Sequence, residues 1–338
     1  MNTPIIVAEL GASHNGDLER ACKTVDAAAY AGASAIKLQC YDATTMVANR
    51  EHTIAGGAWS GQNLYELYRR AAMPWRWHET LFAVAHSHGM DAWSTPFDET
   101  AVNFLETMAC PAYKIASHEI TDLHLIGCAA ATGKRLILST GMATESEIRA
   151  AIAAAEGAES ITLLKCTSAY PAEPADMNLA SILHMTHAFG LDVGLSDHTD
   201  GSIAAVTATV LGATMIEKHI TLDRAGGPDD GFAATPAEFA TMVRNVREAA
   251  AAMGITQYGP TEAELPSLRL RRGLYAVRDL VPGDLISHAK VKARRPAGRI
   301  SAAWLPELIG KQIVQPVPAG APLQWENTTY RPNQERIT

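Results

Sequence analysis

Asp192-Val-Gly-Leu-Ser-Asp-His198 and Met215-Ile-Glu-Lys-His219 decide how this chain is read. Each is a short apolar run that ends in a histidine, and an alanine-rich stretch separates the two. The same alternation extends outward toward both ends. Strand-like runs fall at residues 5–8, 35–38, 91–94, 112–115, 135–138, 161–164, 192–195 and 215–217. Between them lie helical patterns such as Leu18-Glu-Arg-Ala-Cys-Lys-Thr-Val-Asp-Ala-Ala-Ala-Tyr30, followed by Gly32, and Glu145-Ser-Glu-Ile-Arg-Ala-Ala-Ile-Ala-Ala-Ala155, followed by Gly157. Glycine just past a helical stretch is a common stop signal. Strands that alternate with helices imply parallel pairing, and eight such units are what closes a (β/α)8 TIM barrel. A doubly wound open sheet is the competing fold. It calls for a glycine-rich nucleotide turn after the first strand, and Gly11-Ala-Ser-His-Asn-Gly16 lacks that spacing.

After Gly254 the pattern changes. A linker, Tyr258-Gly-Pro-Thr-Glu-Ala-Glu-Leu-Pro266, leads into a segment with the turn signals Val281-Pro-Gly-Asp, Arg295-Pro-Ala-Gly and Val317-Pro-Ala-Gly. Short apolar runs at 274–277 and 313–317 lie between them, so the segment reads as a small, mostly β domain. The expected division is a barrel domain over 1–264 and a linker with the small domain over 265–338.

Composition narrows the function classes. The 338 residues are 47 % hydrophobic and 19 % charged, as in a soluble enzyme with room for a large core. A net charge of −8 argues against nonspecific nucleic-acid binding, which needs a basic surface, and leaves open an anionic small substrate held by local cations. Cys22, Cys40, Cys110, Cys128 and Cys166 are scattered and odd in number, without a C-x-x-C pair, which fits a reducing cytosol. No run approaches a membrane span in length, so a cytoplasmic protein is expected.

In such a barrel the chemistry sits at the carboxyl ends of the strands. The first exit offers Glu9, and the second Lys37 and Gln39, whose separation by two puts both on one face. The third offers Ser94 and Thr95, the fourth Lys114, Ser117 and Glu119, the fifth Ser139 and Thr140. The sixth gives Lys165, Ser168 and Tyr170, the seventh Ser196, Asp197 and His198, the eighth Glu217, Lys218 and His219. Lys37 and Lys114 with the hydroxyls of Thr95, Ser117, Ser139 and Ser196 are what a phosphate or phospho-carboxylate needs. Two neutral imidazoles at neighbouring exits suit a divalent metal that must also hold substrate and water. Plainer roles stand beside these. The lysines could pair with Glu9 or Glu119, Ser139-Thr-Gly-Met could cap the next helix, and each histidine could simply pack. Lys114 or Lys165 could also serve as the Schiff-base lysine of an aldolase.

Ala8-Glu-Leu-Gly with His14-Asn-Gly, Lys37-Leu-Gln39, Ser94-Thr-Pro-Phe, Tyr113-Lys-Ile-Ala-Ser117, Ser139-Thr-Gly-Met, Gly194-Leu-Ser-Asp-His-Thr and Glu217-Lys-His together resemble the sialic acid synthase family. Its members condense phosphoenolpyruvate with an acetamido sugar to make nonulosonic acids. The C-terminal segment resembles the antifreeze-like (SAF) domain that ends these synthases. The resemblance implies that His198 and His219 ligate Mn2+ or Mg2+, and that Lys37, Thr95, Lys114, Ser117, Ser139 and Ser196 hold phosphoenolpyruvate. It implies that Glu9 handles the water added at C2, and that Gln39, Glu119, Tyr170 and Asp229 contact the sugar. Arg295 matches an arginine that the SAF domain of a partner subunit donates to the acetamido group, which requires a domain-swapped homodimer.

The chain departs from the neuraminate pattern at Ser13 and at Thr167-Ser168-Ala-Tyr. Gly56-Gly-Ala-Trp59-Ser-Gly-Gln-Asn-Leu-Tyr65-Glu-Leu-Tyr68, Pro74-Trp-Arg-Trp-His-Glu79 and Gly226-Gly-Pro-Asp-Asp230 are similar to the pseudaminic acid synthases. The resemblance therefore favours a 2,4-diacetamido-2,4,6-trideoxy hexose of altro configuration, over the sugars that yield N-acetylneuraminate or legionaminate. An aromatic wall tolerates the apolar edge of a sugar without a C6 hydroxyl. Trp59, Tyr65, Tyr68, Trp75 and Trp77 could equally pack a helix on the barrel. A non-enzymatic reading, the SAF-like domain as a binding module on an inert barrel, is opposed by the polar group at every strand exit.

Overall fold

Eight parallel strands close into a barrel in the computed structural model, which describes residues 3–331. They are β1 (Ile5–Glu9), β2 (Ala35–Cys40), β3 (Asp91–Pro96), β4 (Ala112–Ile115), β5 (Arg135–Ser139), β6 (Ile161–Cys166), β7 (Asp192–Asp197) and β8 (Met215–His219). The (β/α)8 architecture read from the alternation is thus the one observed. The helices of this part are α1 (Leu18–Tyr30), α2 (Ala43–Met46), α3 (Leu64–Ala71), α4 (Trp77–Ser87), α5 (Glu99–Thr107), α6 (Leu123–Ala130), α7 (Glu145–Ala154), α8 (Ser181–Phe189), α9 (Ile203–Val210) and α10 (Pro236–Met253). The connection after β2 is the longest, and carries α2 and α3 before α4 returns to the barrel.

The strands are buried on both faces because helices cover the outside and side chains fill the inside. Gly194, in the middle of β7, stands where there is no room for a side chain. A Cβ there would lie 2.5 Å from the Met215 carbonyl oxygen and 2.7 Å from Leu164 Cδ2. Helix starts follow ordinary capping chemistry, with Asp17, Asp98 and Asp122 accepting from first-turn amides of α1, α5 and α6. The helix after β5 begins with a capping box built by Thr144 and Glu147. The suggested cap from Ser139-Thr-Gly-Met is therefore corrected: α7 starts several residues later, and Ser139 is engaged in the interior.

The chain divides into two compact units, Met1–Ile255 and Thr256–Thr338. The second has its own small core around Leu274, Ile286, Ile300, Leu308 and Leu323. Its antiparallel pair is β9 (Gly273–Ala276) with β10 (Val291–Arg294), and it contains the short helix α11 (Leu305–Leu308). The apolar run at 313–317 makes only single bridges, Ile313 with Thr328 and Val317 with Leu280. Pro316 and Pro318 explain the difference, since neither has an amide hydrogen for a ladder.

Candidate active site at the barrel mouth

Register brings the exit residues together. In the closing pair of strands Glu9 lies level with His219, and on its other side Glu9 lies level with Lys37. Gln39 is level with Thr95, and Ser196 with Glu217. Because side chains alternate, Glu9, Lys37, Gln39, Ser196, Glu217 and His219 share the inner face.

The floor of the mouth is a buried charge cluster. Lys37 Nζ sits 2.6 Å from Glu9 Oε2 and donates to Thr95 Oγ1 at 3.2 Å. Lys114, only 2 % exposed, donates to Ser139 Oγ at 2.6 Å and to the Ile115 carbonyl at 3.2 Å. Glu217 lies between the two ammonium groups, 3.9 Å from Lys37 and 3.8 Å from Lys114, and accepts from Ser196 Oγ at 3.0 Å. Ser117 Oγ accepts from the Gly141 amide at 3.1 Å. Five of the six residues assigned to anion binding, Lys37, Thr95, Lys114, Ser139 and Ser196, are thus linked through one network, and Ser117 stands on its edge. Burial opposes the charge on Glu217, but Lys114 and Lys37 outweigh it and hold this carboxyl well below the usual range. Burial also works against the Lys37 ammonium, and there Glu217 and Glu9 prevail and raise its pKa. For Lys114 burial wins, with Lys37 adding to it against the pull of Glu217, and its pKa is lowered.

The sequence places Glu217 at the eighth exit and assigns it no role of its own. The available signal was its place two residues before His219, hence on the same face. The expected partner Glu9 does hold Lys37. The expected partner Glu119 does not hold Lys114, because Glu217 occupies that place, and among the described residues Glu119 Oε2 has no hydrogen-bond partner. Burial raises the Glu119 carboxyl to about 7, against the attraction of Lys114. Lys165 is displaced from the cluster by alternation: its neighbour Cys166 turns toward His198, while Lys165 Nζ donates to the Cys166 carbonyl at 2.9 Å.

The two histidines face each other with ring centroids 5.5 Å apart. His198 Nδ1 donates to the Thr167 carbonyl at 3.0 Å, which leaves Nε2 with its lone pair. His219 Nδ1 lies 3.3 Å from Asp229 Oδ2, which also accepts from the Ala12 amide at 2.7 Å. A carbonyl or carboxylate behind one ring nitrogen is the usual support for an imidazole that ligates a metal through the other. The donor set, two facing imidazoles, fits a divalent cation completed by water and substrate oxygens. Asp229, expected to touch sugar, lines the cavity and also supports His219. Gly11 makes room for that contact: its φ is +49°, and a Cβ would fall 2.1 Å from Asp229 Oδ2 and 2.9 Å from His219 Nδ1. On the outer face Lys218 donates to Asp197 at 2.9 Å and to the Thr199 carbonyl, while Asp197 accepts from the Thr199 amide and hydroxyl. This buried pair ties the exits of β7 and β8 beside the two histidines.

Above the floor lies a cavity of about 570 Å³ lined by Gln39, Tyr68, His118, Tyr170, His219 and Asp229, among others. Its wall is aromatic. Tyr170 stacks 4.3 Å from His198, Phe232 lies 4.9 Å from His219, and Trp59 sits 5.3 Å from Tyr170 and 5.9 Å from Phe232. Trp59 is pinned by a 2.9 Å bond from Nε1 to the Pro228 carbonyl. The aromatic stretch therefore divides: Trp59 and Tyr68 line the cavity, whereas Trp75 and Trp77 pack. Trp75 donates to the Tyr41 carbonyl and stacks on Phe104, and Trp77 is buried against His14. Tyr65 carries Arg50 over its ring. Phe232 is a wall residue that no periodicity announced. Arg295 belongs to the second unit, where it is exposed just past β10.

Residues 24–258 match the family described as "NeuB family", and residues 271–327 match the SAF domain. The chain belongs to the NeuB family. It is similar to the pseudaminic acid synthase of Helicobacter pylori, with 38 % identity over 96 % of this chain and 97 % of that protein. With the N,N'-diacetyllegionaminic acid synthase of Legionella pneumophila it shares 34 % identity over 96 % of this chain and 94 % of the other. Among solved structures it is similar to the N-acetylneuraminic acid synthetase of Leptospira borgpetersenii in complex with citrate, at 31 % identity and a TM-score of 0.71, covering 79 % of this chain and 90 % of that one. The family resemblance drawn from the strand-exit motifs is thereby established, and the chain is an enzyme of sialic-acid-type synthesis. Among the described residues no helix is long and apolar enough to cross a membrane.

Proposed function

We propose that this NeuB-family enzyme condenses phosphoenolpyruvate with the open-chain form of 2,4-diacetamido-2,4,6-trideoxy-altrose and water, giving pseudaminic acid and phosphate in the cytoplasm. The observation that carries the reading is the adjacency, inside one mouth, of the Lys37–Glu217–Lys114 cluster and the facing imidazoles of His198 and His219. The aromatic wall of Trp59, Tyr170 and Phe232 and the similarity to pseudaminic acid synthases support the choice of sugar.

In this reading Lys37 and Lys114 neutralise the phosphate and carboxylate of phosphoenolpyruvate, while Thr95, Ser117, Ser139 and Ser196 donate to its oxygens. His198 and His219 would hold Mn2+ or Mg2+, and such a cation would supply Lewis-acid activation of the sugar aldehyde. A C–C bond forms between C3 of phosphoenolpyruvate and C1 of the sugar. Glu9, fixed by the Gln39 amide at 2.8 Å and by Lys37, orients the water that adds at C2 and accepts its proton. The C2–O bond to phosphate then breaks as the C2 hydroxyl becomes a carbonyl and its proton leaves with phosphate, and the proton taken by Glu9 passes to the former aldehyde oxygen. Gln39, Glu119, Tyr170 and Asp229 orient the sugar, and the wall excludes water and packs against its deoxy C6 edge. Arg295 of the partner subunit completes the acetamido pocket in a homodimer.

The test is phosphate release from phosphoenolpyruvate with a panel of sugars: the diacetamido trideoxy sugars of altro and manno configuration, and N-acetylmannosamine. Preference for the altro sugar, lost with EDTA and restored by Mn2+ or Mg2+, is the expected result. Preference for the manno sugar indicates a legionaminate synthase, and preference for N-acetylmannosamine a neuraminate synthase; either outcome refutes the pseudaminic assignment. Activity insensitive to EDTA together with borohydride trapping of substrate would point instead to a Schiff base.

A further inference from the structure

Away from the mouth, α5 and α6 bring three donors of different chemistry to one point on the outer layer of the barrel. His124 and Cys128 are four apart on α6 and so share one face of that helix. Glu99 opens α5 beside them. His124 Nε2 lies 3.6 Å from Cys128 Sγ and 3.6 Å from Glu99 Oε2, and the three donor atoms all lie within 4.8 Å of one another. Bonds to Zn2+ of about 2.3 Å from sulfur and about 2.0–2.2 Å from nitrogen or oxygen, arranged tetrahedrally, place neighbouring donors about 3.4–3.6 Å apart. The observed separations from His124 already match that figure.

We propose that Glu99, His124 and Cys128 form a surface site for a zinc-class divalent cation, separate from the histidine pair at the mouth. Glu99 and His124 are exposed and Cys128 is half-buried, so the fourth position faces water. Soft and borderline ions favour this thiolate-containing set, while Mg2+ and Mn2+ favour sites completed by oxygens, so one chain can sort the two kinds of ion. Burial, together with Glu99 and Asp122, raises the pKa of the free Cys128 thiol. A dication beside it reverses that preference: the S–H bond gives way to a sulfur–metal bond and the proton passes to solvent. Bound metal then joins the first turn of α5 to the middle of α6 and stabilises the fold by mass action.

Chelator-stripped full-length protein, titrated with Co2+, tests the site. The expected result is one thiolate-to-Co2+ charge-transfer band, saturating at one ion per chain and displaced by Zn2+. The band disappears in Cys128→Ser and His124→Ala and persists in Cys166→Ser, which removes the thiol beside His198. Glu99→Gln weakens binding by about tenfold or more. Zn2+ raises the melting temperature of the wild type by about 2–5 °C more than that of Cys128→Ser. Turnover supported by Mn2+ is unchanged in Cys128→Ser. A Co2+ spectrum without a thiolate band, or a band that survives Cys128→Ser, overturns the proposal.

Discussion

The floor and the wall of the mouth are built on opposite plans. The floor is carried by strands: Glu9, Lys37, Lys114, Ser139, Ser196 and Glu217 all lie on β1, β2, β4, β5, β7 and β8, and hydrogen bonds and ion pairs hold them in place. The wall is carried by loops: Trp59, Tyr170 and Phe232 lie outside every helix and strand, and what fixes them is ring packing and one tryptophan hydrogen bond. A rigid charged floor suits the part of the reaction that must place anionic groups against a nucleophilic water. A wall made of loops can change with the sugar without disturbing the floor.

If the division is real, floor substitutions abolish the chemical step and wall substitutions alter sugar binding. Lys114→Met should lower kcat by about 10³-fold or more, because it removes a buried cation from the anion cluster, and rapid-quench phosphate release measures it. Trp59→Ala should raise KM for the trideoxy sugar by about 10–100-fold with kcat within a few fold, as the steady-state KM-against-kcat split records. A fall in kcat equal to that of Lys114→Met would erase the distinction between floor and wall.

Glu119, within the field of Lys114, sharpens the comparison through pH. Its folded pKa of about 7 lies above the ordinary 4.5, so the folded chain holds this proton more tightly than the unfolded chain does. The contribution of Glu119 to stability therefore declines as pH rises from 4.5 toward 7, by about 1–3 kcal/mol, and is level outside that window. Denaturation at stepped pH should show the slope in the wild type and not in Glu119→Gln; an identical slope in both would remove Glu119 as its source. The smallest effect belongs to a residue outside both regions. Thr144→Ala deletes the cap of α7 and should cost about 1 kcal/mol of stability with turnover unchanged, as paired denaturation and activity measurements will show.

The alternation of apolar runs and alanine-rich stretches made the barrel legible, since eight runs at helical separation admit few other closures. The floor was legible residue by residue at the strand exits, yet its organisation was not. Glu217 stands between two lysines only because closure sets β8 against β1 and β7, and no local pattern in Met215-Ile-Glu-Lys-His219 announces those partners. Phe232 lies in a loop, where no period assigns a face. Trp59 and Trp75 look alike as sequence, and only the path of the long connection after β2 sends one to the cavity and the other to the core. In the small domain Ile313-Val-Gln-Pro-Val317 has the hydropathy of a strand, but its proline leaves a ladder without donors.

The central claim is that the cationic floor and the histidine pair serve one substrate complex. The most direct measurement is 31P relaxation of bound phosphoenolpyruvate on addition of Mn2+. The account predicts strong paramagnetic broadening of the phosphorus signal in the wild type and no broadening in His219→Ala, which still binds phosphoenolpyruvate. A bound phosphorus signal that Mn2+ leaves undisturbed in the wild type would contradict it.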